Sequence, residues 1–493
     1  MRRSLARAVP RAVLAALTLA VAALVAAALG PLAGCTAVGP DYEPPETDVP
    51  AAWSGPQGGG LVANPAELEG WWQRLDDPVL DDLVLRARDG GLDLRTALAR
   101  VAESRALLGV AGADRLPTVD ATAAWESRAE SVNTPVGAFI PDFSQYSVGF
   151  DAAWEIDLWG RVRRSIEAAG ADYQASLEDA RDVAVTVAAE TAVAYVDLRA
   201  FQKRTDIART NLALQEQTLD LVRARFEAGL VSESDLAQAR TSVETTRSRV
   251  PTFEAGITSA RNRLAVLVGL PPGALSAELE AAGPIPVPPD DVAVGVPADL
   301  LRRRADVRRA ERELAAATAR IGVAQADLYP RLTLAGSLGL AAEHGNDLFE
   351  SGSDTHRYGP SLRWNLFDSG RLRERVNAQD ARAEQARLGW ESTVLSALEE
   401  AENAMSSFVR EQERRAALTE AVSQARRAVE LARTQYTEGL ADFQTVLVAE
   451  RALADLDDQL AVSDAAITTN LVTLYKALGG GWEGDDPVAN VSD

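Results

Sequence analysis

The sequence predicts a mainly α-helical chain that also carries transmembrane β-strands, built as two copies of one structural unit. Three observations carry this. Trp154-Glu-Ile-Asp-Leu-Trp-Gly160-Arg-Val-Arg163 returns as Trp364-Asn-Leu-Phe-Asp-Ser-Gly370-Arg-Leu-Arg373, and Phe226-Glu-Ala-Gly229-Leu230 returns as Tyr436-Thr-Glu-Gly439-Leu440. Leu264-Ala-Val-Leu-Val-Gly269 returns as Leu474-Tyr-Lys-Ala-Leu-Gly479, again at an offset of 210 residues. Each half also holds two stretches of alternating apolar and polar residues, followed by a proline-free run of 66 residues and a returning helical segment.

The chain opens with Arg2, Arg3, Arg7 and Arg11 before an apolar run from Ala12 to Leu29, then Leu32-Ala-Gly-Cys35. A basic region, an apolar stretch and small residues before a cleavage point form an export signal, expected over 1–34. A transmembrane anchor is the alternative, since the run is just long enough. Cys35 favours the signal: it is the only cysteine in 493 residues and stands where a bacterial lipobox places its acylated thiol. A single cysteine excludes an intramolecular disulfide. One acylated residue tethers a chain to a leaflet without spanning it. Thr36, in place of an aspartate that would retain a lipoprotein at the inner membrane, leans toward the outer membrane.

The chain has 50 basic and 72 acidic residues, and loss of residues 1–34 removes four arginines and no acid. Such an acidic surface excludes nucleic acid as a partner, because phosphate binding needs concentrated cationic charge. No internal segment supplies a second long apolar helix, so a membrane crossing must use β-strands closed into a barrel.

Residues 35–66, rich in Pro and Gly, read as an extended leader. The first repeat, 67–280, opens on Trp71 and Trp72, with helices expected from Pro78 and from Leu92 to Leu116. Its strands are expected at 118–130 and 144–157, where Val119, Ala121, Ala123 and Trp125, then Tyr146, Val148, Phe150, Ala152 and Trp154, alternate with polar residues. Its long helices are expected at 161–226 and 233–268; a 66-residue helix extends about 100 Å. Gly229 marks the stop between them, and Pro251 is expected to kink or break the second. A proline-rich linker covers 281–297. The second repeat, 298–480, has strands expected at 331–342 and 357–368 and helices at 371–436 and 442–478, with Gly439 at the stop; a tail follows at 481–493.

The helical faces mix alanine with charge and lack sustained Leu or Ile at heptad positions, which suits lateral packing around a wet space better than a coiled-coil rod. Four strands cannot close a barrel alone, since single-chain barrels begin at eight. Their edges must be closed by other copies of the chain.

The lipobox, the Gly39-Pro-Asp-Tyr-Glu-Pro44 leader, the twofold repeat and Asp299-Leu-Leu-Arg-Arg-Arg304 followed by Asp306-Val-Arg-Arg-Ala-Glu311 together resemble the outer membrane efflux protein family. These are TolC-like exit ducts, and the nearest likeness is to the lipoprotein branch serving resistance-nodulation-division pumps. The resemblance implies a homotrimer with four strands per protomer in one outer-membrane β-barrel, continued by a long periplasmic α-helical barrel. It implies partnership with a periplasmic adaptor and an inner-membrane pump, contact with outer-membrane lipid, and no cofactor. It also implies an equatorial belt made from segments near 69–90, 270–300 and the C-terminal end. Gly229, Leu230, Gly439 and Leu440 would lie at the adaptor-contacting helical tips, and loops 131–142 and 343–356 would face the exterior.

Relatives often narrow the periplasmic mouth with an aspartate nine residues after the second tip glycine; Val448 stands there, so a hydrophobic constriction is expected. Asp442, Glu450 or Asp235 are the alternative sources of a charge ring. Asp120, Asp151, Glu155 and Asp157 are expected to face the barrel lumen and bias it toward cations. The loop residues His344 and His356 lack a ligand-spacing motif and read as solvated, with no metal role. No nucleophile motif, phosphate loop or triad accompanies them, so an enzyme is not expected. The expected function is passive conduction of small molecules. The alternatives are the exit duct of a type I protein secretion system and a non-conducting periplasmic spacer lipoprotein.

Overall fold

The computed structural model describes residues 37–482 apart from 47–48, 56–57, 63, 65–67, 132, 136–138 and 140–141. The expected signal 1–34, the expected lipidation at Cys35 and the tail beyond 482 lie outside the described residues. In chain order the elements are α1 (Pro78–Gly90), α2 (Leu92–Ala113), β1 (Thr118–Arg128), β2 (Phe143–Ile156), α3 (Arg161–Glu227) and α4 (Glu233–Leu267). They continue as α5 (Pro297–Arg303), α6 (Ala305–Ala326), β3 (Arg331–Ala342), β4 (Asp354–Arg363), α7 (Arg371–Thr437) and α8 (Phe443–Ala477). Among the described residues, no helix is long and apolar enough to cross a membrane.

The chain divides into two compact units. One holds the leader up to Pro44 together with Arg105–Asp172 and Glu313–Ala386. Its sheet is antiparallel throughout in the order β1-β2-β3-β4. Pairings such as Ala121 with Phe150, Phe150 with Leu338 and Leu338 with His356 set the apolar rows side by side on one face. Trp125, Phe150, Leu338, Tyr358 and Leu362 on that face are all exposed, which suits a lipid-facing surface.

The leader docks against this unit. Val38 N–H donates to Trp159 C=O (3.0 Å), and the buried Arg164 donates to Val38 C=O (3.2 Å), Gly39 C=O (3.2 Å) and Asp41 Oδ1 (2.7 Å). A Cβ at Gly39 would sit 2.4 Å from the Gly322 Cα, so the two backbones meet at glycines.

The β4 boundary departs from expectation. The sequence predicts a strand over 357–368 and a loop over 343–356, whereas the strand runs from Asp354 to Arg363 and takes in His356. Its partner β3 starts at Arg331, opposite Arg363, directly after Pro330. Among the described residues, no strand therefore lies beside 364–368.

The second unit comprises Pro45–Ser104, Tyr173–Arg312 and the chain from Arg387 onward. Its largest core joins Trp71, Trp72, Leu80 and Leu83 to Tyr195, Leu198, Leu264, Phe408, Leu471 and Tyr475. Trp71 stacks on Tyr475 at 5.3 Å, and Tyr195 donates its hydroxyl hydrogen to Asp77 (2.7 Å), the N-cap of α1. A short parallel bridge pairs Leu61–Val62 of the leader with Val292–Ala293 of the linker.

Arg304 is the buried member of the triple-arginine element. It donates to Asp306 from Nε (3.0 Å) and Nη2 (2.7 Å), to Glu400 (2.8 Å), and from Nη1 to Ala477 C=O (2.9 Å) at the last turn of α8. Burial pulls its pKa down, but the two carboxylates more than offset this and hold it above the usual range. Burial raises the Asp306 pKa and Arg304 more than reverses it, leaving that carboxyl below its ordinary value.

α4 runs as one helix through Pro251, so of the expected kink or break the break does not occur. The lost N–H costs one rung of the ladder, and neighbouring contacts retain the helix. Phe253 is buried, and Gly256 lets the Phe201 ring approach so closely that a Cβ there would lie 2.6 Å from it.

Candidate functional site

Both helical hairpins turn by the same device. Gly229 (φ 71°) and Gly439 (φ 76°) adopt the left-handed conformation open to glycine. Leu230 N–H donates to Arg225 C=O and Leu440 N–H to Gln435 C=O, each at 2.8 Å, while the glycine N–H groups reach Phe226 and Tyr436. This is the Schellman stop, which satisfies the last carbonyls of a helix. Leu230 and Leu440 are exposed beyond it.

The returning helices are capped by equivalent positions with exchanged chemistry. Ser232 Oγ accepts from Asp235 N–H (3.2 Å), and Asp235 Oδ2 accepts from Ser232 N–H (3.0 Å). In the second half Asp442 is the cap and accepts from Thr445 N–H (3.0 Å) and Oγ1 (2.8 Å), which holds its carboxyl below the usual range. Both acids lie at the tips, and both are already engaged in starting a helix.

The two tips pack on each other. Val222, Leu236 and Ala239 meet Ala432, Tyr436, Phe443, Val446 and Leu447. Arg225 lies 4.3 Å over the Tyr436 ring and donates to Thr437 C=O (2.8 Å). Val448, on the next turn of α8, is 64% exposed.

Glu450 corrects the expectation of a solvent-facing charge. It is only 4% exposed, accepts from Thr218 Oγ1 of α3 (2.6 Å), and lies 3.7 Å from Arg433 of α7. Burial raises its pKa, with Thr218 and Arg433 opposing. Glu450 begins a series that sequence reading missed. Asp457 accepts from Arg426 (3.0 Å), Asp458 accepts from Arg204 at two atoms (2.7 and 3.0 Å), and Asp464 accepts from Arg415 (2.5 Å). The seven-residue spacing of Glu450, Asp457 and Asp464 was the available signal, since it sets acids on one helical face.

On the sheet, register places Asp120 directly opposite Asp151, and Thr122 donates to Asp151 Oδ2 (3.1 Å). Glu155 and Asp157 are not free lining acids. Arg161 donates to Glu155 from two nitrogens (2.8 and 2.9 Å), and Asp157 accepts from the N–H groups of Val162 (3.1 Å) and Arg163 (3.0 Å) at the start of α3. The alternation that sets Asp120, Glu126, Asp151 and Glu155 on the polar face sets Arg128, Arg331, Arg357 and Arg363 there as well. That face is charge-balanced, so its acids give no cation bias by number. His344 lies 3.8 Å from Asp347, and His356 stacks on Tyr358.

A profile described as outer membrane efflux protein matches residues 83–270 and 296–480. Nodulation protein T of Rhizobium leguminosarum bv. viciae is 32% identical over 92% of this chain and 92% of its own. The toluene efflux pump outer membrane protein TtgF of Pseudomonas putida is 31% identical over 92% and 95%. The pyoverdine export outer membrane protein OpmQ of the same species is 33% identical over 89% and 93%. Among solved structures, the outer-membrane channel OprN matches with a TM-score of 0.85 and 36% identity, over 90% of this chain and 99% of that one. Two repeats with four alternating strands, paired hairpin stops and matches along most of the chain lead to one assignment: this protein belongs to the outer membrane efflux protein family.

Proposed function

We propose that this chain is the outer-membrane duct of a tripartite efflux assembly, conducting small molecules passively after an inner-membrane pump and a periplasmic adaptor deliver them. Three copies would close their sheets into one twelve-stranded barrel, and their long hairpins would continue it as an α-helical conduit. The pump is of the resistance-nodulation-division type, and Cys35 carries the lipid that tethers the chain to the outer membrane. The exposed apolar sheet face carries this reading. Trp125, Phe150, Leu338, Tyr358 and Leu362 form a surface that water penalises and lipid accepts. A periplasmic spacer would leave that surface wet, which disfavours that alternative. Relatives named for toluene and pyoverdine favour small cargo over secreted polypeptide.

The adaptor contacts fall at Gly229, Leu230, Gly439 and Leu440, where exposed leucines end each hairpin. Val448 supplies the constriction, acting by dewetting rather than by charge. Single-channel recording of the purified protein in a planar bilayer tests both parts. Discrete current steps that enlarge with Val448→Gly support the duct and its mouth. Folded protein that inserts and carries no current with either form overturns the mouth assignment, and failure to insert overturns the duct.

A further inference from the structure

The two open edges of the sheet carry matching charges. Among the described residues β1 pairs only with β2, and β4 only with β3. Strand direction alternates across the sheet, so β4 of one copy would run antiparallel to β1 of the next. We propose that these edges join in the register that sets Arg363 opposite Asp120 and Arg357 opposite Glu126 of the neighbouring copy. The proposal rests on the shared-barrel reading above and adds the residues that fix its seam.

Four observations support this register. The acids on β1 are six residues apart and the arginines on β4 are six residues apart, so one antiparallel alignment satisfies both pairs. All four side chains are exposed on the polar face, and none makes an ion pair or hydrogen bond to another side chain among the described residues. On the apolar face the same alignment brings Trp125 beside Tyr358 and Val119 beside Trp364, all exposed at present. Aromatic and opposite-charge neighbours across strands are the units that stabilise a sheet. The alignment also gives residues 364 and 365 a strand partner, which they lack among the described residues.

Competing registers do worse. A slip of two residues one way sets Asp120 against Ser361 and Glu126 against Thr355; the other way sets Arg128 against Arg357. Backbone geometry is compatible as well. Ala341 N–H donates to Ser353 C=O (2.8 Å), so odd-numbered residues of β4 turn their peptide groups to β3 and even-numbered ones to the open edge. Arg357 and Arg363 would then occupy non-hydrogen-bonded pairs, where facing side chains stand closest. Pro360 falls on the open edge without an N–H, so one rung is missing and side chains carry more of the register.

Paired cysteines test the seam in the full-length protein in outer-membrane preparations, with mild oxidation read by non-reducing electrophoresis. Asp120→Cys with Arg363→Cys, and separately Glu126→Cys with Arg357→Cys, should link chains covalently, whereas each single substitution should not. Linkage through Asp120→Cys with Arg357→Cys in place of those pairs overturns the register while leaving the shared barrel standing. A wild-type chain that sizes as a monomer overturns the shared barrel and the seam together. Charge exchange gives a second readout. Asp120→Arg should lower the temperature at which the assembly dissociates, and adding Arg363→Asp should restore it; no restoration counts against the pair.

Discussion

Thr218 donates its hydroxyl hydrogen to Glu450 at 2.6 Å, joining two helices from different halves of the repeat. The contact is buried near the hairpin tips, and it holds a carboxyl whose pKa is raised chiefly by burial. A raised carboxyl pKa means the folded chain binds a proton more readily than the unfolded one. The stabilisation from this proton is full below the unfolded value and is lost as pH rises through the folded one. Glu450→Gln keeps an acceptor for Thr218 and removes the charge. Its melting temperature should exceed that of the wild type at pH 7, with the difference vanishing near pH 4. Thermal unfolding across that range measures it, and an equal difference at both pH values would contradict the assignment.

Arg304 binds α6, α7 and the end of α8 through one guanidinium. Removing one partner of a buried pair leaves the other uncompensated, so Arg304→Ala should cost about 3–5 kcal/mol. Arg304→Lys should recover only part, because an ammonium cannot reproduce the planar fork that meets Asp306. Urea titration followed by tryptophan fluorescence reports both.

Gly229 and Gly439 have open space where a Cβ would go, so the cost of alanine there is conformational alone. Each Gly→Ala change should cost about 1–2 kcal/mol from the left-handed backbone. Hydrogen exchange should show faster opening confined to residues flanking the altered tip. A loss spread over the whole chain would contradict the local origin.

Arg164 holds the leader by three backbone or side-chain acceptors at Val38, Gly39 and Asp41. Arg164→Ala should expose the Gly39-Pro-Asp-Tyr segment to protease while leaving the sheet intact. Limited proteolysis with mass mapping decides this: cleavage near 37–44 that rises severalfold is expected, and an unchanged pattern would remove Arg164 as the clamp.

The sequence by itself determined the repeat, the four strands, the long hairpins and their stops. Those features follow from local rules: alternation of period two, a proline-free helical run, and glycines such as Gly229 and Gly439 with no Cβ to oppose a positive φ. The tertiary structure decided which charges remain available. Glu450 meets a threonine 232 residues away, and Arg304 reaches a carbonyl 173 residues away. Glu155 and Asp157 are taken up by the arginine-rich start of α3, and the polar face acquires arginines to match its acids. A carboxylate's spacing shows the helix or strand face it occupies. Its chemistry is set by what the fold brings opposite, because the cost of burying a charge depends on partners distant in the chain. The end of β4 follows the same logic, since a strand continues only while another strand accepts its backbone hydrogen bonds.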